Sequence, residues 1–252
     1  MIINIIILFI YGIVIGSFLN VLIYRIPNNI KMSGRSKCPK CNTQIKWYHN
    51  IPVFAWIFLK GKCAYCNNKI SIEYPFIELI SGLLMLMIGY QYNYEINNYY
   101  LWANFIILIG LLTLSAIDYK YKEVPDIISI PLIFVAIFTL SENYDIIESI
   151  QRILIVLGGV SLFKYTIELI FNKEMLGEAD IIIASIMLGF LKNYNLLYLA
   201  IYISAMIILL IYIILKIKNK KMEVYIPLIP YLFIGTLISY IYGNEILKII
   251  YE

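Results

Sequence analysis

The sequence has 252 residues, of which 62% are hydrophobic and only 14% charged, with a formal net charge of +4. Soluble domains carry roughly 25% charged residues, and a water-soluble fold of this length cannot hide so large an apolar fraction. The composition therefore excludes a soluble globular protein; recurring apolar stretches near the ~20 residues that cross a hydrocarbon core make it an all-α polytopic membrane protein.

The first apolar stretch is Met1–Tyr24. It lacks a basic n-region, no small-x-small cleavage site follows it, and it is longer than a signal h-region, so it reads as a retained transmembrane helix. The next segment, residues 25–74, is the substantial polar loop of the chain. Nine of the twenty basic residues fall between Arg25 and Glu73, where Glu73 is the single acid. By the positive-inside rule this loop is cytoplasmic and the N-terminus lies outside. Topology accounts for the charge, so no nucleic-acid partner is expected.

Further apolar segments run over Pro75–Tyr90, Tyr99–Ile117, Ile127–Leu140, Ile153–Phe171, Ile181–Leu191, Asn195–Leu215 and Val224–Tyr242, giving about eight spans with the first. The implied cytoplasmic connections are Arg25–Tyr74, Asp118–Asp126, Asn172–Asp180 and Lys216–Glu223. The last carries Lys216, Lys218, Lys220 and Lys221, whereas the outside connection Glu142–Asp145, with Glu148, leans acidic. Ile127–Leu140 and Ile181–Leu191 are short for a crossing and suggest partial helices or a thinned membrane near a site. The expected division is a first transmembrane helix at 1–24, a cysteine-bearing cytoplasmic loop domain at 25–74, and a transmembrane domain at 75–252. No internal repeat is evident.

All four cysteines lie in the polar loop, as Cys38-Pro39-Lys40-Cys41 and Cys63-Ala64-Tyr65-Cys66, with 21 residues between the pairs. That spacing approximates a four-thiolate zinc site, each C-x-x-C forming one knuckle. A cytoplasmic loop is in a reducing compartment, which disfavours disulfides. A closed shell of four ligands points to a structural Zn²⁺ rather than a catalytic one. His49, near Trp47 and Trp56, reads as an interfacial or packing residue rather than a ligand.

Asp118 ends one apolar span and Asp180 opens another at the same expected membrane face. Paired carboxylates share one proton: the charged partner activates water, and the protonated partner polarises a carbonyl and then protonates the leaving amine. Cleavage by such a pair falls at high pH, once both ionise. From spacing alone other readings stand beside this one. Asp180 and Asp126 could cap the helices beginning at Ile181 and Ile127, and Asp118 could be an exposed helix-end residue. A proton-coupled transporter could use the same carboxylates, with Lys164 and Glu168 on its path, although an i,i+4 pair is more often self-neutralising. A non-catalytic scaffold whose zinc loop docks a partner is a third possibility.

Several strings decide among these. Gly16-Ser17-Phe18-Leu19-Asn20-Val21-Leu22-Ile23-Tyr24-Arg25-Ile26-Pro27, Gly34-Arg35-Ser36-Lys37-Cys38-Pro39-Lys40-Cys41, Asn50-Ile51-Pro52, Gly61-Lys62-Cys63 and Ile70-Ser71-Ile72-Glu73-Tyr74-Pro75 with Glu78 resemble the bacterial type IV prepilin leader peptidase family. The resemblance covers nearly the whole chain. It implies catalytic roles for Asp118, which opens the segment through Pro125 and Asp126, and for Asp180, which closes Gly177-Glu178-Ala179-Asp180 in place of a Gly-x-Gly-Asp motif. It further implies prepilin or pseudopilin substrates cut at the cytoplasmic face of the bacterial inner membrane, and methylation of the new N-terminus by S-adenosylmethionine, with no residue assigned to the donor. The chain departs from the family pattern at Ala179, in place of the second glycine, and at Ile182, where a lysine is common. Alanine resists the positive φ that glycine allows, so a distorted site is expected if that conformation is needed.

Overall fold

The computed structural model describes residues 1–172, 177–218 and 226–251. Met175 of the Asn172–Asp180 connection, Lys220, Lys221 and Glu223 of the Lys216–Glu223 connection, and Val224 lie outside the described residues. In lipid the backbone must satisfy its own polar groups, and the described residues comply: they hold helices, and their only β-pairing is two isolated bridges in the cysteine loop. The helices are α1 (Ile2–Arg25), α2 (Phe54–Phe58), α3 (Glu73–Gln91), α4 (Tyr99–Tyr121), α5 (Asp126–Leu140), α6 (Ile146–Phe171), α7 (Glu178–Leu191), α8 (Tyr194–Ile217) and α9 (Ile229–Tyr251). Six of them, α1, α3, α4, α6, α8 and α9, are long and apolar enough to cross a membrane. The other two expected spans are α5 and α7, helices of 15 and 14 residues, short as the sequence suggests.

Boundaries move for local reasons. The sequence suggests that the fifth span starts at Ile153, after a charged stretch, yet the corresponding α6 begins at Ile146 because Glu148 and Arg152 pair across one turn at 2.8 Å. The Arg152 guanidinium also sits 3.6 Å from the Tyr144 ring centroid, so this cation is satisfied within the helix start. α9 runs on to Tyr251, past Gly243-Asn244-Glu245, where the sequence suggests a stop.

The chain divides into two compact units, Met1–Phe105 and Ile106–Glu252. In the first, α1 and α3 approach until their backbones nearly touch. A Cβ on Gly12 would lie 2.7 Å from Gly82 Cα, and one on Gly16 2.7 Å from Glu78 Cα. Small residues at such crossings let dispersion contacts do what the hydrophobic effect cannot do in lipid. The Asn4 amide donates to Tyr94 O at 3.0 Å and the Asn20 amide to Tyr74 O at 3.1 Å, tying each end of α1 to its neighbours.

In the second unit α7 packs against α5, α6, α8 and α9 and is buried continuously from Ile183 to Leu191. A helix apolar on every side belongs in such a centre. Its approach to α5 is close, with Gly189 against Ala136 and the Thr139 hydroxyl donating to Gly189 O at 2.9 Å. α8 and α9 are joined by the Ser204 hydroxyl to Tyr231 O at 2.9 Å and the Ser239 hydroxyl to Leu196 O at 2.7 Å.

Candidate active site and metal centre

Asp118 occupies the last turn of α4 and is only 8% exposed. Its Oδ2 accepts the backbone N–H of Ile229, the first residue of α9, at 3.0 Å. The opening N–H groups of a helix lack intrahelical partners and carry the positive end of its dipole, so the carboxylate is fixed by a cap formed across 111 residues of sequence. Asp118 is therefore not the exposed helix-end residue that its position alone allows.

Asp180 is the third residue of α7, which starts at Glu178 rather than Ile181. Its Oδ2 accepts the N–H of Gly177, the N-cap, at 2.9 Å, the reach-back half of a capping box. The cap reading of Asp180 thus describes one of its oxygens. Asp126 differs: the N-cap of α5 is Pro125, and Asp126 lies inside the first turn without a side-chain cap bond. It aids that helix through the dipole alone.

The two aspartates belong to one unit, and Asp180 is among the charges that act on Asp118. A residue that the sequence pattern treats as self-neutralising adds a buried positive charge in the same unit. Lys164 of α6 is 7% exposed and interacts electrostatically with Asp180. No ion pair joins it to Glu168, whose Oε1 is buried without a hydrogen-bond partner. The i,i+4 pattern failed to find this because spacing along a helix says nothing about which way burial turns a long side chain.

The glycine-to-alanine departure has a plain reading in the backbone. Ala179 is helical, within the first turn of α7, and is not among the residues of positive φ. Gly177 has φ −70° and ψ 152°, an extended conformation open to any residue. Alanine meets no conformational obstacle here.

The cysteines form a second centre. Their four Sγ atoms lie within 4.8 Å of one another, and those of Cys38 and Cys66 are 3.9 Å apart. A tetrahedral shell with metal–sulfur bonds of ~2.3 Å separates its sulfurs by about 3.8 Å, so the donor set fits a bound metal ion. Two equivalent turns build it. Asn42 donates to Cys38 O at 2.9 Å and Asn67 to Cys63 O at 3.0 Å, with both asparagines at positive φ, 54° and 56°. Each turn is closed by one bridge, Lys37 with Gln44 and Lys62 with Lys69. The loop thus contains a short structural repeat that the sequence reading missed; the shared signal is C-x-x-C followed directly by Asn, a residue that tolerates the left-handed region.

Hydrogen bonds prepare these thiols. Those from Thr43 hold the Cys41 thiol down to about 6, backbone amides of Cys66 and Tyr65 lower that of Cys63, and burial pushes Cys38 up. Thiolate is the form that binds metal. His49 stands outside the cluster, edge-on to Tyr48 and Tyr65 with ring centroids 4.5 and 6.1 Å away, in the packing role expected of it.

Comparison with known proteins agrees over both units. A family described as "Bacterial Peptidase A24 N-terminal domain" matches residues 10–92, and the "Type IV leader peptidase family" matches residues 105–214. A Prepilin leader peptidase/N-methyltransferase of Neisseria gonorrhoeae is 30% identical over 83% of this chain and 82% of its own length. One of Klebsiella pneumoniae is 34% identical over 69% of this chain and 78% of its own, and one of Pseudomonas aeruginosa is 28% identical over 94% and 90%. No solved structure matches.

Proposed function

The chain belongs to the type IV leader peptidase family, and from that premise we propose that it removes the short basic leader of type IV prepilin-like proteins and then methylates the new N-terminal residue. Asp118 and Asp180 are the catalytic pair in this reading. The observation that carries it is the placement of two carboxylates at helix ends in one unit, each held by a backbone N–H through Oδ2. A carboxylate anchored by one oxygen keeps the other for water or for the scissile carbonyl.

One aspartate removes a proton from water as it attacks the peptide carbonyl, while its protonated partner hydrogen-bonds the carbonyl oxygen and afterwards supplies the proton to the departing amine. Lys164 stabilises negative charge on the pair during the exchange. The leader's basic residues leave toward the cytoplasm in the topology proposed here, with the N-terminus outside, residues 25–74 cytoplasmic and the protein in the bacterial inner membrane. The excess of basic residues in that loop supports this orientation. Residues 75–252 would form the peptidase domain and embed the substrate's apolar helix in lipid.

Zinc is the metal this reading assigns to Cys38, Cys41, Cys63 and Cys66, since four thiolates in a closed tetrahedral shell suit Zn²⁺. It would hold the loop's shape and supply no step in cleavage. S-adenosylmethionine would supply an electrophilic methyl group. Conversion of a prepilin to its faster-migrating mature form in membrane vesicles, compared between the wild type and Asp118→Asn and Asp180→Asn at matched expression, tests the cleavage. Retained cleavage in either variant removes that residue from the mechanism.

A further inference from the structure

α6 is the least buried of the six long apolar helices, and it carries two features that the packing of its unit leaves unused. The first is an open pair of glycines. Every other glycine inside a described helix marks a close approach, where an added Cβ would lie 2.2–3.0 Å from a neighbouring atom. A Cβ on Gly158 or Gly159 would meet nothing within 4 Å among the described residues. Glycine weakens a helix relative to alanine, and transmembrane helices keep it where another helix must come near. No described helix of this chain fills that place.

The second feature is Glu168, ten residues further on. Helical periodicity puts Leu154, Gly158, Ser161, Tyr165 and Glu168 on one stripe of α6. The stripe is exposed at Leu154, Gly158 and Tyr165 and half-buried at Ser161 and Glu168. Large side chains at Leu154 and Tyr165 flank small ones at Gly158 and Ser161, which makes a notch. The Ser161 hydroxyl donates to Leu157 O at 2.6 Å, so it is spent within the helix. At the end of the stripe the Glu168 Oε1 is buried without a hydrogen-bond partner, and no described cation pairs with the carboxylate. Such an oxygen calls for a donor from outside the fold. Lys164, whose charge acts on Asp180, lies between the two features. At 1.5 Å per residue, Gly158 is about 9 Å from Lys164 along the axis and Glu168 about 6 Å in the opposite direction.

We infer that α6 is the docking face for the prepilin substrate, whose apolar helix seats in the notch at Gly158 and Ser161 while a basic residue of its leader pairs with Glu168. The inference rests on the leader-peptidase function proposed above and adds where the substrate lies and what reads its leader. In the proposed topology α6 runs from the outer face at Ile146 to the cytoplasmic face at Phe171. Its notch, its lysine beside Asp180 and its acid therefore follow one another in the order of the substrate's apolar helix, cleaved bond and basic leader. Extended chain covers about 3.3 Å per residue, so Glu168 is placed for a basic residue about two positions before the cleaved bond. A second copy of this chain, inserted the same way, fits the stripe poorly, because its own Glu168 would be set against this one.

Full-length protein in lipid nanodiscs, carrying Leu162→p-benzoylphenylalanine beside the notch or Tyr198→p-benzoylphenylalanine on exposed α8, tests the docking face. Irradiation with a full-length prepilin should crosslink the substrate through position 162 far more than through position 198. Equal or greater yield through position 198, crosslinks only to a second copy of the chain, or none at all would overturn the inference. Crosslinking through position 162 on a chain that cuts no prepilin would leave the docking face standing and remove the cleavage reading instead. Cleavage kinetics read the leader contact. Glu168→Gln should raise KM about tenfold on a prepilin with its basic leader, the loss expected for a hydrogen bond to a charged group, with kcat little changed. The penalty should vanish on a prepilin whose leader lysines and arginines are replaced by glutamine, and Glu168→Asp should recover part of it. An equal penalty on both substrates would make Glu168 a packing residue and overturn its role.

Discussion

The two units solve the problem of holding charge in different ways. In the first, charge is organised by short-range chemistry. The Arg25 guanidinium is ringed by the carbonyls of Lys31, Met32, Ser33 and Gly34 at 2.9–3.3 Å, and two asparagine-closed turns gather the thiols. In the second, charge is held by packing at the ends of helices. Asp118 is fixed by the start of α9 and Asp180 by the start of its own helix. A polar loop with little apolar core needs a metal and dense hydrogen bonding to keep one shape, whereas a lipid-embedded bundle needs only small residues and a few satisfied polar groups. The comparison implies that each chemistry can be destroyed while the other centre keeps its structure.

The largest expected effect tests that separation from the peptidase side. Asp118→Asn and Asp180→Asn should each lower prepilin cleavage by about 10²- to 10⁴-fold, the usual contribution of a positioned acid or base. Metal content measured on the same preparations should stay at the wild-type ratio. Loss of metal together with cleavage would mean that the variants unfold and that the separation fails.

From the other side, Cys63→Ser or a strong chelator should strip the metal and open the 25–74 loop to trypsin at its many lysines. Because the ligands are thiolates, protons compete with the metal, so metal should also be released on acidification and retained on raising the pH. Methylation should be lost with the metal, and cleavage should fall by a smaller factor. Equal loss of both activities would show that the loop also shapes the peptidase site.

Legibility in the sequence follows the same division. The cysteine centre could be read from the chain because both pairs are C-x-x-C and all ligand geometry is local. The helices were legible because lipid demands continuous apolar runs, and even the brevity of α5 and α7 survived as a real feature. The surroundings of the aspartates were not legible. Nothing near Asp118 names Ile229, and nothing in a Lys164–Glu168 spacing says that the lysine's charge is felt at Asp180. Such partners are fixed by tertiary packing, which periodicity does not encode. The boundary errors at α6 and α7 arose alike from treating charged residues as helix breaks, although Glu148 and Arg152 pair and Asp180 caps.

A smaller effect probes the buried cation. Lys164→Met should reduce kcat for cleavage by about tenfold with little change in KM, since a unit charge several ångströms away in a partly screened interior is worth on the order of 1–2 kcal/mol. Lys164→Arg should restore much of the loss. If the methionine variant loses substrate binding rather than turnover, Lys164 belongs to the packing of α6 and not to the charge balance of the pair.

The smallest expected effect concerns the residue at which this chain departs from its family. Ala179→Gly restores the family's motif, so an account based on sequence pattern expects a gain in rate. The backbone argues otherwise. Ala179 is helical, one residue before Asp180, in the turn whose geometry sets the Asp180–Gly177 hydrogen bond. Glycine there gains no needed conformation and loosens the turn, at a cost of up to about 1 kcal/mol in helix stability. Cleavage should therefore stay within about twofold of wild type, with a slightly lower melting temperature, because the penalty falls on the helix's opening turn while the Asp180–Gly177 hydrogen bond remains available. A rise of tenfold would locate the glycine requirement in the approach of substrate to the site: with a hydrogen in place of the methyl group, the scissile peptide could lie closer to α7. Single-turnover cleavage of one prepilin by both forms separates these outcomes, since closer approach raises the chemical rate and a loosened cap lowers it.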